Sequence, residues 1–169
     1  MGQEDRPNRR TIRLRDYDYS KAGAYFITVC TYQKIETLGS ITAHNIVHTK
    51  AGDIVASVWR SIPDRFPGVE LDEYLLMPNH VHGIIVLPDR ESQSSSAEMK
   101  KPGLGKIIAY FKYMSTKLIN QDRNQIGRRV WQRNYYEHVI RNDHDLNTIR
   151  EYIQNNPRRW TIDRFYSKV

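Results

Sequence analysis

The order of patterned segments predicts an α+β domain, an antiparallel sheet with helices packed on one face. Three observations carry this. The 169 residues make one domain with a real core and are too few for two. Segments of period two alternate with segments of period 3.6, in the order strand, helix, strand pair, helix, strand, helix. The central strand pair is joined only by Pro78-Asn79, a turn short enough to serve antiparallel neighbours alone.

Each element has its own signal. "AYFITVCTYQ", from Ala24, is rich in aromatic and β-branched residues and reads as the first strand. "SITAHNIVHTK" is a weaker strand or hairpin partner. In "AGDIVASVWRSIPDRFP", Ile54, Val55, Val58, Trp59 and Ile62 fall at helical spacing, Pro63 breaks the helix, and Pro67-Gly68 closes the segment. "VELDEYLLMP" and "HVHGIIVLP" are the strand pair, followed by a serine-rich loop, "DRESQSSSAEMKKPG", whose composition predicts disorder. "LGKIIAYFKYMSTKLIN" is a second amphipathic helix, with Ile107, Ile108, Phe111, Met114 and Leu118 on one side. "RRVWQRNYYEHVIR" alternates as a strand. "DLNTIREYIQN" is a third helix, opened by Asn142 or Asp143 and stopped by Pro157. The pattern divides the chain into a flexible charged arm (residues 1–20), the domain (21–157) and a basic tail (158–169).

Within "LMPNHVHGIIVLP", His80 and His82 are two apart on a strand, so both rings project from one face. Two neutral imidazoles side by side are half of a metal site, or a hydrogen-bonded pair with no further role. On the third helix, Tyr152 and Asn156 are one turn apart, beside the buried stripe of Leu146, Ile149 and Ile153. Taken alone they would be packing and a helix stop. Taken with the histidines they add an amide oxygen and a hydroxyl, which completes a donor set for a divalent ion with open positions beside a nucleophile. A phenol with pKa about 10 needs such an ion to attack a phosphodiester. Tyr135, Tyr136 and His138 are rival site residues of lower rank.

The net charge of +7 points to a polyanionic partner. Lys100, Lys101, Lys106, Lys112, Lys117, Arg123, Arg128, Arg129 and Arg133 stand against Asp122 alone in residues 100–133. Tyr110, Tyr113, Trp131, Tyr135 and Tyr136 are interleaved with them, a combination of phosphate attraction and stacking surface that suits single-stranded DNA. Arg158 and Arg159 form a second basic group. Cys30 is the only cysteine, which excludes a disulfide framework and a thiolate zinc cluster. No apolar run approaches a membrane span, so no membrane partner and a cytoplasmic location are expected.

"MPNHVHGIIV" followed by "VWQRNYYEHVIRNDHDLNTIREYIQNNPRRW" resembles the single-tyrosine transposases of the HUH endonuclease superfamily, and within them is most similar to the REP-associated tyrosine transposases. The resemblance spans about residues 25–160. It implies a ferredoxin- or RRM-like HUH fold, with His80 and His82 holding Mg²⁺ or Mn²⁺ and Asn156 in the place of a third ligand. It implies Tyr152 as a nucleophile that cuts DNA and forms a 5′-phosphotyrosine. The expected partner is single-stranded or hairpin DNA, the expected location the nucleoid, and a homodimer is compatible with the family. Two alternatives stand beside strand transfer: a non-catalytic single-stranded DNA- or RNA-binding domain, and a nickase of the HUH replication-initiator or relaxase kind.

Overall fold

Strand β1 (Gly23–Cys30) organises the molecule because both of its edges are paired. It runs antiparallel to β5 (His80–Leu87) on one side and β6 (Tyr136–Ile140) on the other, and β4 (Glu70–Met77) completes the order β4-β5-β1-β6. The computed structural model describes residues 22–42, 45–88 and 102–162. The serine-rich loop, the arm and most of the basic tail lie outside them. Strands β2 (Gly39–Thr42) and β3 (Asn45–His48) form a separate two-stranded hairpin, the weaker pair expected from "SITAHNIVHTK".

Alternation along β1 and β5 gives the sheet two apolar faces. Tyr25, Ile27 and Val29 join Val81 and Ile85 on the first face, under α1 (Lys50–Arg60) and α3 (Leu104–Asp122). Trp59 of α1 is fully buried there, with its ring edge-on to Phe111 of α3 at 5.4 Å. It sits so close to β5 that a Cβ at Gly83 would lie 2.4 Å from its Cζ2. Glycine at 83 is therefore required by the approach of the indole. The second face carries Phe26 and Ile84, against which α4 (Asp143–Asn155) lays Ile149 and Ile153. The α+β class and the antiparallel sheet are as predicted. Two helices share one face, and the third lies on the other, where the histidines are.

Helix ends follow local chemistry. The break in "SVWRSIPDRF" falls at Ser61, which caps α1 and opens the short α2 (Ile62–Arg65) with Pro63 in its first turn, where a missing N–H costs nothing. Asn142 is the N-cap of α4, accepting from the Asp145 N–H at 2.9 Å.

Three expectations are corrected. The buried stripe of α3 runs Leu104, Ile107, Ile108, Phe111, Ser115, Ile119, while Leu118 is 36% exposed. Ser115 is the cause: fully buried, it donates to the Phe111 carbonyl and accepts from Trp131 Nε1 at 2.9 Å, so a polar residue occupies a core position. Strand β6 is shorter than "RRVWQRNYYEHVIR", because Val130 and Trp131 turn into the core and leave only an isolated bridge to Thr31. The domain does not end at Pro157: a 3-10 turn, Asn156–Ile162, follows α4 and buries Trp160.

Candidate active site

The hairpin turn and the β1–β5 register build the site. Met77 and His80 are paired across the Pro78-Asn79 turn, and the register sets Thr28 opposite His82. Both histidines are fully buried and project from the face covered by α4. Their Nε2 atoms are 3.0 Å apart. The outer nitrogens are held: His80 Nδ1 lies 2.8 Å from Asn79 Oδ1, and His82 Nδ1 lies 2.8 Å from Thr28 Oγ1.

These partners fix the protonation pattern. Asn79 donates its Nδ2 to the Lys34 carbonyl at 3.0 Å, so the oxygen is the atom facing His80. An amide oxygen only accepts; His80 therefore carries its proton on Nδ1 and turns the Nε2 lone pair toward His82. The Thr28 hydroxyl can donate or accept. When it donates, His82 keeps its proton on Nε2 and gives it to His80. When it rotates to accept, both Nε2 atoms offer lone pairs to one side, the arrangement of metal-bound histidines oriented by outer hydrogen bonds. A separation of 3.0 Å also matches adjacent ligands about 2.1 Å from an octahedral ion. The donor set fits a divalent cation of mixed nitrogen and oxygen preference. Among the described residues no group of three or more His, Cys, Asp or Glu stands together, so further donors would be neutral oxygens or the substrate itself.

Helix α4 delivers the phenol. Tyr152 Oη is 3.5 Å from His82 Nε2, a contact rather than a tight hydrogen bond. Its ring meets Phe26 edge-on, centroids 6.0 Å apart at 89°, and Phe26 also packs against His82. Asn156 is buried at the C-cap of α4, one turn beyond Tyr152. One turn further, the Trp160 ring lies 6.0 Å from that of His80. The helix is fastened at its outer side, where Arg150 donates through Nε and Nη2 to the two oxygens of Asp72 on β4, at 2.8 and 2.5 Å. That guanidinium holds the Asp72 carboxyl below the usual carboxylate range. Gln154 adds a 3.3 Å bond to Glu73.

Of the rivals, Tyr136 shares the site face and packs on Phe26, whereas Tyr135 belongs to the opposite core. His138 pairs with Asp145 at the surface, 3.0 Å apart.

The basic residues divide by position. Lys112, Arg128, Arg129 and Arg133 line one open groove beside α3, and Lys117 lines an adjoining hollow. Arg128, Arg129 and Arg133 are exposed, as are Lys106 near the start of α3 and Arg158 and Arg159 on the 3-10 turn. Lys112 instead turns inward, donating to the Gln132 and Arg133 carbonyls, and burial lowers its pKa. Trp131 is corrected from stacking surface to core: it is 6% exposed, with its ring on Phe111 and its N–H on Ser115. Lys100 and Lys101 lie outside the described residues. Sequence reasoning missed Thr28, Asn79, Phe26, Trp160 and the Arg150–Asp72 pair. Only Asn79 carried a signal, as the residue before His80 in a two-residue turn.

Comparison with known proteins agrees with this geometry. A Haemophilus influenzae protein of no stated function is 37% identical over 170 residues, covering 94% of this chain and 93% of its own. A second from that organism, described as a candidate REP-associated tyrosine transposase, is 23% identical over 148 residues, covering 83% and 73%. A REP-associated tyrosine transposase solved with a REP hairpin shares the fold at TM-score 0.63 and 22% identity, over 87% of this chain and 73% of its own. The model of the family described as "Transposase IS200 like" matches residues 27–156, from the core of β1 through the His-x-His strand and all of α4. The chain belongs to the IS200-like transposase family.

Proposed function

We propose that this transposase-family chain is a metal-dependent strand transferase that cuts single-stranded DNA at hairpin-associated sites, with Tyr152 as nucleophile. The observation that carries the reading is the convergence of Tyr152 Oη with the paired Nε2 atoms of His80 and His82 in a single chain. The hairpin is carried over from the similar protein solved with one, and a DNA substrate would place the chain with the nucleoid in the cytoplasm.

His80 and His82, with Asn156, would hold Mg²⁺ or Mn²⁺. Bound there, the ion supplies charge withdrawal from the scissile phosphate. The chain's residues do the rest. Phe26 and His82 hold the phenol edge-on, which restricts its approach to the phosphorus. Tyr152 Oη forms the new bond to phosphorus while the P–O3′ bond breaks. The phenol loses a proton and the departing 3′ oxygen takes one up. The product is a 5′-phosphotyrosine, which conserves the phosphoester for rejoining by another 3′ hydroxyl, so no nucleotide cofactor is needed.

Incubation with Mn²⁺ and a 3′-labelled hairpin oligonucleotide tests this. The expected product is labelled protein that survives denaturing electrophoresis, lost in His80→Ala and His82→Ala variants whose circular dichroism is unchanged. Cleavage retained in both variants at saturating Mn²⁺ contradicts the metal role. Tight reversible binding with no adduct under any divalent ion contradicts the enzyme and supports a binding domain.

A further inference from the structure

The groove beside α3 lies one residue from the active site, and its walls have a composition that phosphate attraction alone does not explain. Tyr32, in the 3-10 turn Tyr32–Lys34, is 36% exposed, and Tyr113 of α3 is 64% exposed; both line the groove. Arg129 extends its guanidinium over the Tyr32 ring, 5.8 Å from the centroid. Arg128 and Arg133 add cations, and none of the described lining residues is a carboxylate. Gln33 adds an amide next to the tyrosine.

The turn that presents Tyr32 and Gln33 is held under strain. Gln33 and Lys34 adopt φ of 55° and 57°, the left-handed region that non-glycine residues enter at a cost of about 1 kcal/mol or more each. The surrounding bonds enforce it. The Tyr32 N–H donates to the Val130 carbonyl at 2.7 Å, the Thr31 N–H to the Asn79 carbonyl at 2.8 Å, and Asn79 Nδ2 to the Lys34 carbonyl at 3.0 Å. Asn79 is the residue that orients His80. The opposite wall is fixed by Lys112, whose ammonium ties down the Gln132 and Arg133 carbonyls. A rigid aromatic ledge, an amide and unopposed arginines thus meet at the edge of the metal-ligand hairpin.

We propose that this groove binds an unpaired nucleotide next to the cleaved phosphodiester, its base stacked on Tyr32 and its phosphates met by Arg128, Arg129 and Arg133. A duplex stem offers phosphates but keeps its base faces stacked inside the helix. The exposed rings suit a base that is not paired. The assignment rests on the DNA reading above and adds the part of the substrate that this surface takes.

Fluorescence of 2-aminopurine tests it. The probe is placed at successive single-stranded positions flanking a hairpin, and binding is read in full-length Tyr152→Phe protein so that no covalent step intervenes. Quenching is expected at one or two positions adjacent to the cleavage site. Tyr32→Ala should relieve it and weaken binding of the flanked oligonucleotide by about tenfold to a hundredfold, from the loss of one stacked base. Tyr32→Phe should retain both, and the blunt hairpin should bind all three proteins equally. Equal quenching and affinity in Tyr32→Ala overturns the groove assignment, as does an equal loss for the blunt hairpin. Quenching that behaves as expected while protein with Tyr152 intact forms no adduct leaves the groove standing and contradicts the strand-transfer reading alone.

Discussion

Thr28 decides which protons the histidine pair carries, because its hydroxyl is the only group at His82 Nδ1 that can either give or take one. Thr28→Val keeps the shape of the side chain and removes that choice. It should lower Mn²⁺ affinity by about 10- to 100-fold, the usual cost of losing an outer partner of a metal-binding histidine. Titration calorimetry reads the change, and unchanged affinity would show that His82 sets its tautomer without Thr28. The two histidines were legible from sequence because strand periodicity alone sets them on one face. Tyr152 was legible because helical spacing set it beside a buried stripe. Thr28 was not, since only the β1–β5 register brings it opposite His82. Trp160 was hidden by Pro157, which reads as a stop although the chain continues into a 3-10 turn.

Helix α4 must be held at one height above the sheet for its phenol to reach the histidines, and Arg150–Asp72 is the fastening. Arg150→Ala should lower the rate of adduct formation by about tenfold while leaving metal and DNA affinity unchanged, the signature of lost positioning. Single-turnover kinetics and a binding titration separate the two effects. The same pair sets a pH dependence. Asp72 has its pKa lowered from 3.8 in the folded protein by its bond to Arg150, so it is the unfolded state that binds protons first as pH falls. Its contribution to stability is fully present above about pH 4 and is lost as pH drops through the lowered value. Urea melts between pH 5 and pH 2 should show this loss in the natural protein, and Asp72→Asn should lack that part of the slope. An identical slope in both would remove the pair from the account. At this scale the sequence placed every main element. It erred where a polar residue sits in a core position, as Ser115 does in α3, because periodicity counts side-chain type and not hydrogen bonds.

Over the whole molecule, the charge of +7 foretold a polyanion, but the fold decides which cations can meet it together. Arg128, Arg129 and Arg133 share one groove, while Lys112 is engaged with carbonyls. Binding of single-stranded DNA should therefore weaken steeply with salt. Replacing Arg128 and Arg129 by alanine should flatten the log–log slope by about 1.4, at roughly 0.7 per phosphate contact. A slope unchanged by both substitutions would move the DNA elsewhere. The central claim concerns where the covalent bond forms. Trypsin digestion of the adduct separates the rivals, since Tyr152 lies in "EYIQNNPR" and Tyr136 in "NYYEHVIR". Mass spectrometry should find the 5′-phosphate on "EYIQNNPR", at Tyr152. A phosphate on "NYYEHVIR" would contradict the account, because the nucleophile would then stand on β6 and not on the helix that meets the histidines.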